Sequence, residues 1–307
     1  MGTGPILADG VAEYIAAARR GPPAAPEAMR LAADLDADRI AYPRPEGMKV
    51  ATSFVAGEGR ETPVRIYRPA VDGPQAAIVY FHGGAFTAGS IETFDPLAVA
   101  LSEATGATVI SVHYTRLPHT TPRAMLEECY GVLGWTARVA DVLGIAPERI
   151  AVAGDSAGAF LATLVAMAAR DRGGPRIACQ LLFYGVFDLD ETRASYRESR
   201  DPVLNQSLLS MMIDTYRACD ARDDSLAPPL RCSDLSRLPP ALFVGAEYDA
   251  VLEEGQEYAE RLRQAGVEVT TRVAPQMPHG FFRAVRFSAP AREEMRRLAE
   301  AARPYLQ

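Results

Sequence analysis

The chain has 307 residues, of which 48% are hydrophobic and 23% are charged, and its formal net charge is -7 at pH 7. That length and apolar content suffice for one large core, either as a single domain or as a domain with an appendage. The acidic balance, with no Lys/Arg-rich run, argues against nucleic acid and anionic membranes as partners, because both are bound through clustered cations.

Neither a metal nor another cofactor is indicated, and a small molecule is the expected partner. The four cysteines form no Cys-x-x-Cys pair and lie at positions Cys129, Cys179, Cys219 and Cys232. No histidine is spaced to join them on a metal. The N-terminus has no basic start followed by an apolar run, and the apolar helical stretch 157–169 is shorter than the roughly 20 residues that span a bilayer. We therefore expect a cytoplasmic protein with no membrane partner.

Strands and helices are predicted to alternate from Met48 onward, after an Ala-rich helical segment at the N-terminus. Segments 48–57 and 62–70 alternate polar and apolar residues, which is typical of half-exposed antiparallel edge strands. Nearly continuous apolar runs predict strands covered on both faces at 76–84, 107–114, 149–156, 178–187, 240–249 and 267–275. Helical patterns separate them at 92–105, 124–143, 157–172, 253–265 and 289–302. This alternation predicts a mostly parallel, doubly wound α/β sheet.

One long interval breaks this rhythm. Between the strands predicted at 178–187 and 240–249, about fifty residues show helical patterns without a strand, and an interval of that length is more often functional than idle. We expect residues 188–235 to form a helical cap insertion. Residues 1–47 contribute N-terminal helices to this cap, and residues 48–187 and 236–307 form the catalytic core.

The run after the strand at 149–156 predicts a nucleophile. Gly154-Asp155-Ser156-Ala157-Gly158 is a Gly-x-Ser-x-Gly motif between a strand and a helix, the context of a nucleophile elbow. A sharp turn there exposes the serine hydroxyl, and the glycines remove side chains that would collide with neighbouring segments. The alternative is a serine that only caps the following helix.

A serine nucleophile needs a base and an acid that orients the base. His279 follows the last predicted strand and completes the chain order Ser, acid, His, whereas His82, His113 and His119 occupy other predicted contexts. Asp249, at the end of the run 240–249, is the first carboxylate beyond the apparent end of that strand, with Glu247 as its competitor. Two further carboxylates, Glu253 and Glu254, are interpreted as solvent-facing residues of a first helical turn.

The glycines after His82 predict an oxyanion hole. Attack on a carbonyl creates an oxyanion, and backbone amides at a glycine turn can donate to it without obstruction by side chains. Gly83, Gly84 and Ala157 are the predicted donors. The alternative is a tight turn that simply leaves the strand.

The segments "HGGAF", "GDSAGA", "AEYD" and "PHGF" resemble the signature segments of the hormone-sensitive lipase-like, bacterial family IV carboxylesterases, a branch of the α/β hydrolases. The resemblance runs from about residue 48 to the C-terminus. It implies the α/β-hydrolase fold, with a mostly parallel eight-stranded sheet flanked by helices and a helical cap. It also implies Ser156, Asp249 and His279 as the triad, a structural role for His82, and hydrolysis of short to medium acyl esters. Whether the chain forms a homodimer is left open.

The chain departs from the family at the third glycine after the histidine, which is Ala85 here. If that position needs a left-handed backbone, alanine costs about 1 to 2 kcal/mol. The hypothesised reaction is acyl transfer through an acyl-enzyme, with a rate that rises through a pKa near neutrality. Alternatives are an amidase or transacylase with the same triad, a dehydratase-type relative, which Ser156 disfavours, and a non-catalytic binding protein, which His279 disfavours.

Overall fold

The computed structural model describes residues 4–18, 26–57, 59–221 and 226–307. These residues form eight strands, β1 to β8: Lys49–Ala56, Glu61–Arg68, Gln75–Phe81, Thr108–Val112, Ile145–Asp155, Gln180–Phe183, Ala241–Ala246 and Val269–Ala274. They also form ten α-helices, α1 to α10: Val11–Ala18, Pro26–Leu35, Asp95–Thr105, Pro122–Arg138, Ala140–Leu143, Ala157–Asp171, Ala194–Glu198, Gln206–Asp220, Leu252–Gln264 and Ala289–Leu306.

All eight strands belong to one sheet in the order β1-β2-β4-β3-β5-β6-β7-β8. Strand β2 is antiparallel to both of its neighbours, and the pairs from β4 to β8 are parallel. The predicted antiparallel edge and the mostly parallel sheet are therefore both confirmed.

The register of the parallel strands brings their carboxyl ends together. Phe81 at the end of β3 pairs with Val112 of β4 and with Gly154 of β5. Asp155 at the end of β5 pairs with Phe183 at the end of β6. Loops that leave these strands emerge side by side, which is where open sheets of this kind bind ligands.

Helices cover both faces of the sheet because the side chains of each strand alternate between two cores. Ala77, Val79 and Phe81 of β3 join a core with α4, α6 and α9. Ile78 and Tyr80 of the same strand join the opposite core with α1, α3 and α10. The predicted helix 124–143 is two helices, since α4 ends at Arg138 and α5 begins at Ala140.

Strand β8 differs from the sequence prediction. The apolar run 267–275 predicted a strand covered on both faces, but β8 pairs only with β7 and most of its side chains are partly or fully exposed. Three of its six residues, Thr270, Thr271 and Arg272, are polar, and an edge strand accommodates them. The run has strand character, but its place at the edge depends on what packs beside it.

Two segments outside the sheet approach the carboxyl ends of the strands. In the interval between β6 and β7, Asn205 caps the N-terminus of α8, and its side chain accepts a hydrogen bond from the Leu208 amide. The Tyr216 ring of α8 packs 5.2 Å from the ring of Phe86, in the loop after β3. From the N-terminal side, Arg30 of α2 donates to the carbonyl oxygen of Thr87 in that loop at 3.2 Å.

Candidate active site

Ser156 occupies a strained turn between β5 and α6. Its backbone has φ 54° and ψ -122°, a conformation that residues other than glycine rarely adopt. The turn is possible because its neighbours lack side chains: a Cβ on Gly154 would lie 2.1 Å from the carbonyl oxygen of Gly158. A Cβ on Gly158 would lie 1.9 Å from the carbonyl oxygen of Phe81. Both glycines of the motif are therefore required by close backbone packing.

His279 lies between the other two predicted residues of the triad. Its Nε2 is 2.8 Å from the Ser156 hydroxyl oxygen, and its Nδ1 is 2.8 Å from Oδ2 of Asp249. The second oxygen of Asp249 accepts a hydrogen bond from the Val251 amide at 3.0 Å, which fixes the carboxylate at the end of β7. The structure thus brings together three side chains that lie far apart in the sequence.

Opposing influences act on the imidazole of His279. Burial alone would lower its pKa, but the negative charge of Asp249, the hydrogen bond to that carboxylate, and the charges of Asp201 and Asp155 together raise the pKa above the ordinary 6.5. The arrangement therefore stabilises an imidazolium, the form that the ring takes after it removes a proton from a hydroxyl.

The other carboxylates near the end of β7, Glu247 and Glu254, form hydrogen bonds with groups other than His279. Glu247 accepts a hydrogen bond from the Gln276 amide at 2.6 Å and holds the loop after β8. Glu254, which was expected to face solvent, is fully buried, so that expectation is wrong. Its two oxygens accept hydrogen bonds from the Phe187 amide at 2.8 Å and from the Tyr196 hydroxyl at 2.5 Å.

In the loop after β3, one of the predicted oxyanion donors already has a hydrogen-bond acceptor. The amide of Gly83 donates to Oδ1 of Asp155 at 2.8 Å and is not available to a substrate, so its assignment as a donor is wrong. Within the described residues, the amides of Gly84, Ala85 and Ala157 have no hydrogen-bond acceptor. These three N–H groups are free to bind a developing negative charge.

Ala85 has a left-handed backbone, the conformation in which alanine is strained relative to the glycine that is usual at this position. Its φ is 53°, and the following Phe86 has φ 62° and a buried ring. The alanine therefore carries the strain of about 1 to 2 kcal/mol that glycine would avoid. Packing of the Phe86 ring against Phe160 at 5.2 Å and against Tyr216 holds the turn in this conformation.

Asp155 is a functional residue whose role the sequence reasoning missed. Besides the Gly83 amide, its Oδ1 accepts a hydrogen bond from the Tyr80 hydroxyl at 2.6 Å. Burial raises the pKa of Asp155 to about 6, against the lowering effect of these two hydrogen bonds. The carboxylate links the nucleophile turn to the loop after β3. The aspartate beside the motif serine was the signal that could have revealed this link.

His82 stabilises the loop and is not placed to act as a base. Its Nδ1 lies 2.7 Å from the Gly83 carbonyl oxygen, so Nδ1 carries the proton and donates it. Its ring stacks on Tyr114, with 4.4 Å between centroids. Burial lowers the pKa of His82 to about 3, which keeps the ring neutral.

The site is nearly closed to solvent. Ser156 is 8% exposed and His279 is 7% exposed.

No group of three or more His, Cys, Asp or Glu side chains that could hold a metal ion occurs in the part of the chain that the structure describes. None of the helices formed by residues 4–18, 26–57, 59–221 and 226–307 is long and apolar enough to cross a membrane. The cytoplasmic location and the homodimer stay predictions.

Comparison with known proteins shows the family to which the chain belongs. The family model described as the alpha/beta hydrolase fold matches residues 78–283. The carboxylesterase NlhH of Mycobacterium tuberculosis is 37% identical over 227 residues, which cover 72% of this chain and 71% of that protein. Ethyl acetate hydrolase of Pseudomonas putida is 34% identical over 262 residues, covering 83% and 82%.

Solved structures show the same likeness over the whole chain. The crystal structure of a thermostable esterase from Pseudomonas putida has a TM-score of 0.89 and 29% sequence identity, and the match covers 100% of this chain and 99% of that one. The predicted fold class is therefore confirmed. The chain belongs to the α/β-hydrolase family, in its hormone-sensitive lipase-like carboxylesterase branch, and it is an enzyme of the hydrolase class.

Proposed function

We propose that the protein hydrolyses carboxylic esters of short to medium acyl chains, with Ser156, His279 and Asp249 as its catalytic triad. The observation that carries this proposal is the pair of 2.8 Å contacts that His279 makes with the serine hydroxyl and with the aspartate. A serine hydroxyl is a weak nucleophile at neutral pH, and a base at hydrogen-bond distance removes that limitation.

The reaction proceeds in two steps. Ser156 attacks the ester carbonyl while Nε2 of His279 takes the hydroxyl proton, and the N–H groups of Gly84, Ala85 and Ala157 bind the oxyanion. The intermediate collapses, the C–O bond to the alcohol breaks, and His279 returns the proton to the leaving alkoxide. Water then attacks the acyl-enzyme with the same base, and this step releases the acid and regenerates the serine.

The described parts of segments 1–47 and 188–235, which are 4–18, 26–47, 188–221 and 226–235, form a helical cap over this site in our proposal. The other residues of these two segments lie outside the described residues. The contact of Arg30 with Thr87 and the packing of Tyr216 against Phe86 support this role, since both fasten outer helices to the oxyanion loop. Small acyl groups fall within the proposed substrate range. Ethyl acetate hydrolase, a relative by sequence, is named for a substrate of this size.

Hydrolysis of p-nitrophenyl acetate, butyrate and octanoate by the wild type and by Ser156→Ala tests the proposal. We expect kcat/KM to be higher for acetate and butyrate than for octanoate, and kcat to fall by about 10⁴-fold or more in Ser156→Ala. Ser102→Ala is the matched control, because Ser102 is also buried but donates to the carbonyl oxygen of Ala107, outside the site. Equal rates in the wild type and Ser156→Ala would exclude this mechanism.

The pH profile adds a second criterion. Since His279 must be neutral to act as a base and its pKa is raised, kcat/KM should rise with pH through a midpoint above 6.5. A flat profile between pH 5 and 8 contradicts a histidine base. Parallel assays with p-nitroacetanilide and with added alcohol acceptors test the amidase and transacylase alternatives.

A further inference from the structure

A second buried carboxylate contacts His279 from the insertion. Asp201 lies between α7 and α8 and is only 8% exposed. Its Oδ2 accepts a hydrogen bond from the main-chain amide of His279 at 2.6 Å. This contact joins residues 78 positions apart in the sequence and connects the segment 188–235 with the loop that carries the histidine.

The other oxygen of Asp201 fixes the carboxylate within its own turn. Its Oδ1 accepts hydrogen bonds from the Val203 amide at 2.7 Å and from the Leu204 amide at 2.9 Å. The Asp201 amide in turn donates to the Ser199 hydroxyl at 3.1 Å. Because both oxygens have backbone donors, the carboxylate is held in one place and its charge is buried in a defined position.

A Ser-His-acid triad needs one acid, and Asp249 already occupies that position on Nδ1. Asp201 is thus an additional negative charge beside the same residue. The carboxylates that raise the pKa of His279 are Asp249 in the loop after β7, Asp155 at the end of β5 and Asp201 in the insertion. The Tyr184 ring packs edge-on at 5.2 Å from the imidazole. Arg283 opposes these charges through its effect on Asp155.

The surroundings of Asp201 are unfavourable to a second carboxylate. Burial and then the charge of Asp249 raise the pKa of Asp201, while His279 and its backbone donors oppose this change. A buried carboxylate next to another one destabilises the fold unless hydrogen bonds or an opposite charge compensate it. A positive charge on His279 is such an opposite charge.

We propose that Asp201 is a positioning residue for the catalytic histidine: it holds the main chain of His279 against the insertion, and its charge stabilises the imidazolium formed during catalysis. This inference rests on the proposed function, because it presupposes that His279 is the base. It makes the insertion part of the machinery that sets the basicity of the histidine.

The test compares the pH dependence of kcat/KM for p-nitrophenyl acetate in the wild type, Asp201→Asn and Asp201→Glu. Loss of the negative charge in Asp201→Asn should lower the midpoint of the acid limb by about 0.5 to 1 pH unit and reduce kcat about three- to tenfold, with little change in KM. Asp201→Glu retains the charge, so its midpoint should stay near that of the wild type even if its rate falls.

Asp190→Asn is the matched control, because it removes one negative charge from the same insertion. The Asp190 carboxylate contacts Thr192 and Arg231, and its side chain is 38% exposed. We therefore expect Asp190→Asn to leave the rate and the midpoint of the pH profile unchanged. Asp201→Ser is a second neutral variant, since a serine hydroxyl can also accept from the backbone of this turn. Titration of the active serine with a fluorophosphonate reports the folded fraction of each variant. The midpoint of the pH profile of either neutral variant, Asp201→Asn or Asp201→Ser, is sufficient for the test if that variant folds.

Each outcome separates this inference from the proposed function. A lower midpoint in the neutral variants, with the Asp201→Glu midpoint near the wild-type value, supports the role of Asp201. A wild-type midpoint in the neutral variants overturns it, whatever their rates, because an anchor without electrostatic effect would lower activity alone. Absence of wild-type turnover, or equal activity of Ser156→Ala, would instead overturn the proposed function and this inference with it.

Discussion

Replacement of Gly158 by alanine is expected to lower both stability and activity. A Cβ at this position would lie 1.9 Å from the carbonyl oxygen of Phe81 and 2.8 Å from that of His82. Heavy atoms do not approach a Cβ closer than 3.0 Å, so the start of α6 and the end of β3 must separate by about 1 Å or more. Both neighbours are backbone, and neither can move aside as the end of a flexible side chain would.

The expected loss of stability in Gly158→Ala follows from two opposing effects. Alanine is favoured over glycine within a helix by about 0.5 to 1 kcal/mol. Overpacking costs about 1 to 3 kcal/mol, and a backbone clash belongs at the upper end. The net loss for Gly158→Ala is therefore about 2 kcal/mol. With an unfolding entropy of about 2.1 cal/mol/K per residue and 307 residues, this loss lowers Tm by about 3 °C.

Activity should decrease more than stability does. The displaced segments carry Ser156 and Ala157 at the start of α6 and Gly84 after β3, so the proposed nucleophile and the proposed oxyanion donors move apart. A displacement of about 1 Å in an active site costs about 10²-fold in rate. We expect a loss of this size in kcat/KM for p-nitrophenyl acetate.

Gly131→Ala is the matched control, because it is the same substitution within a helix but without a clash. Gly131 lies in α4, and a Cβ there would meet nothing within 4 Å. It should stabilise the protein by about 0.5 to 1 kcal/mol and leave kcat/KM unchanged. Urea unfolding, thermal melts and initial rates on the two variants and the wild type make the comparison. A Gly158→Ala protein as stable and active as Gly131→Ala would refute the packing argument.

Two further predictions concern buried strain and buried charge. Burial raises the pKa of Glu254 from 4.5 to about 8; the native state therefore binds this proton more tightly than the unfolded chain, and stability should fall between about pH 5 and 8 by up to about 1.4 kcal/mol per pH unit. Melting curves of Glu254→Gln over that range should show a weaker decline than the wild type, and parallel curves would disprove the assignment. Ala85→Gly should be more stable than Ala88→Gly by about 1 to 2 kcal/mol in urea, because only Ala85 has a positive φ, of 53°; equal stability of the two would show that Ala85 is not strained.

Much of the fold was predictable from local patterns. Apolar runs of strand length, separated by helical periods, are sufficient to predict a parallel sheet, because only strands covered on both faces can be apolar throughout. The Gly-x-Ser-x-Gly motif similarly predicted a strained turn, and Ser156 has φ 54°. Chain order and strand ends predicted that Asp249 and His279 would meet it.

The errors share a physical cause. Strand 267–275 was expected to be covered on both faces and Glu254 to face solvent, yet the exposure of each is set by elements distant in sequence. Glu254 is buried because residues 187 and 196, before and within the insertion, pack over it and donate hydrogen bonds to its carboxylate. Gly83 was expected to serve as an oxyanion donor, but its amide is bound by Asp155, 72 positions away.

The sequence by itself determined the alternation of strands and helices along the chain, the strained serine turn and the residues of the proposed triad, because these depend on short-range sterics, periodicity and chain order. Only the tertiary structure decided which amides remain free for an oxyanion, that β8 forms the second edge of the sheet, and that Asp201 reaches the backbone of His279. Those properties depend on which partner occupies a hydrogen-bonding group, and the partners come from segments that only folding brings together.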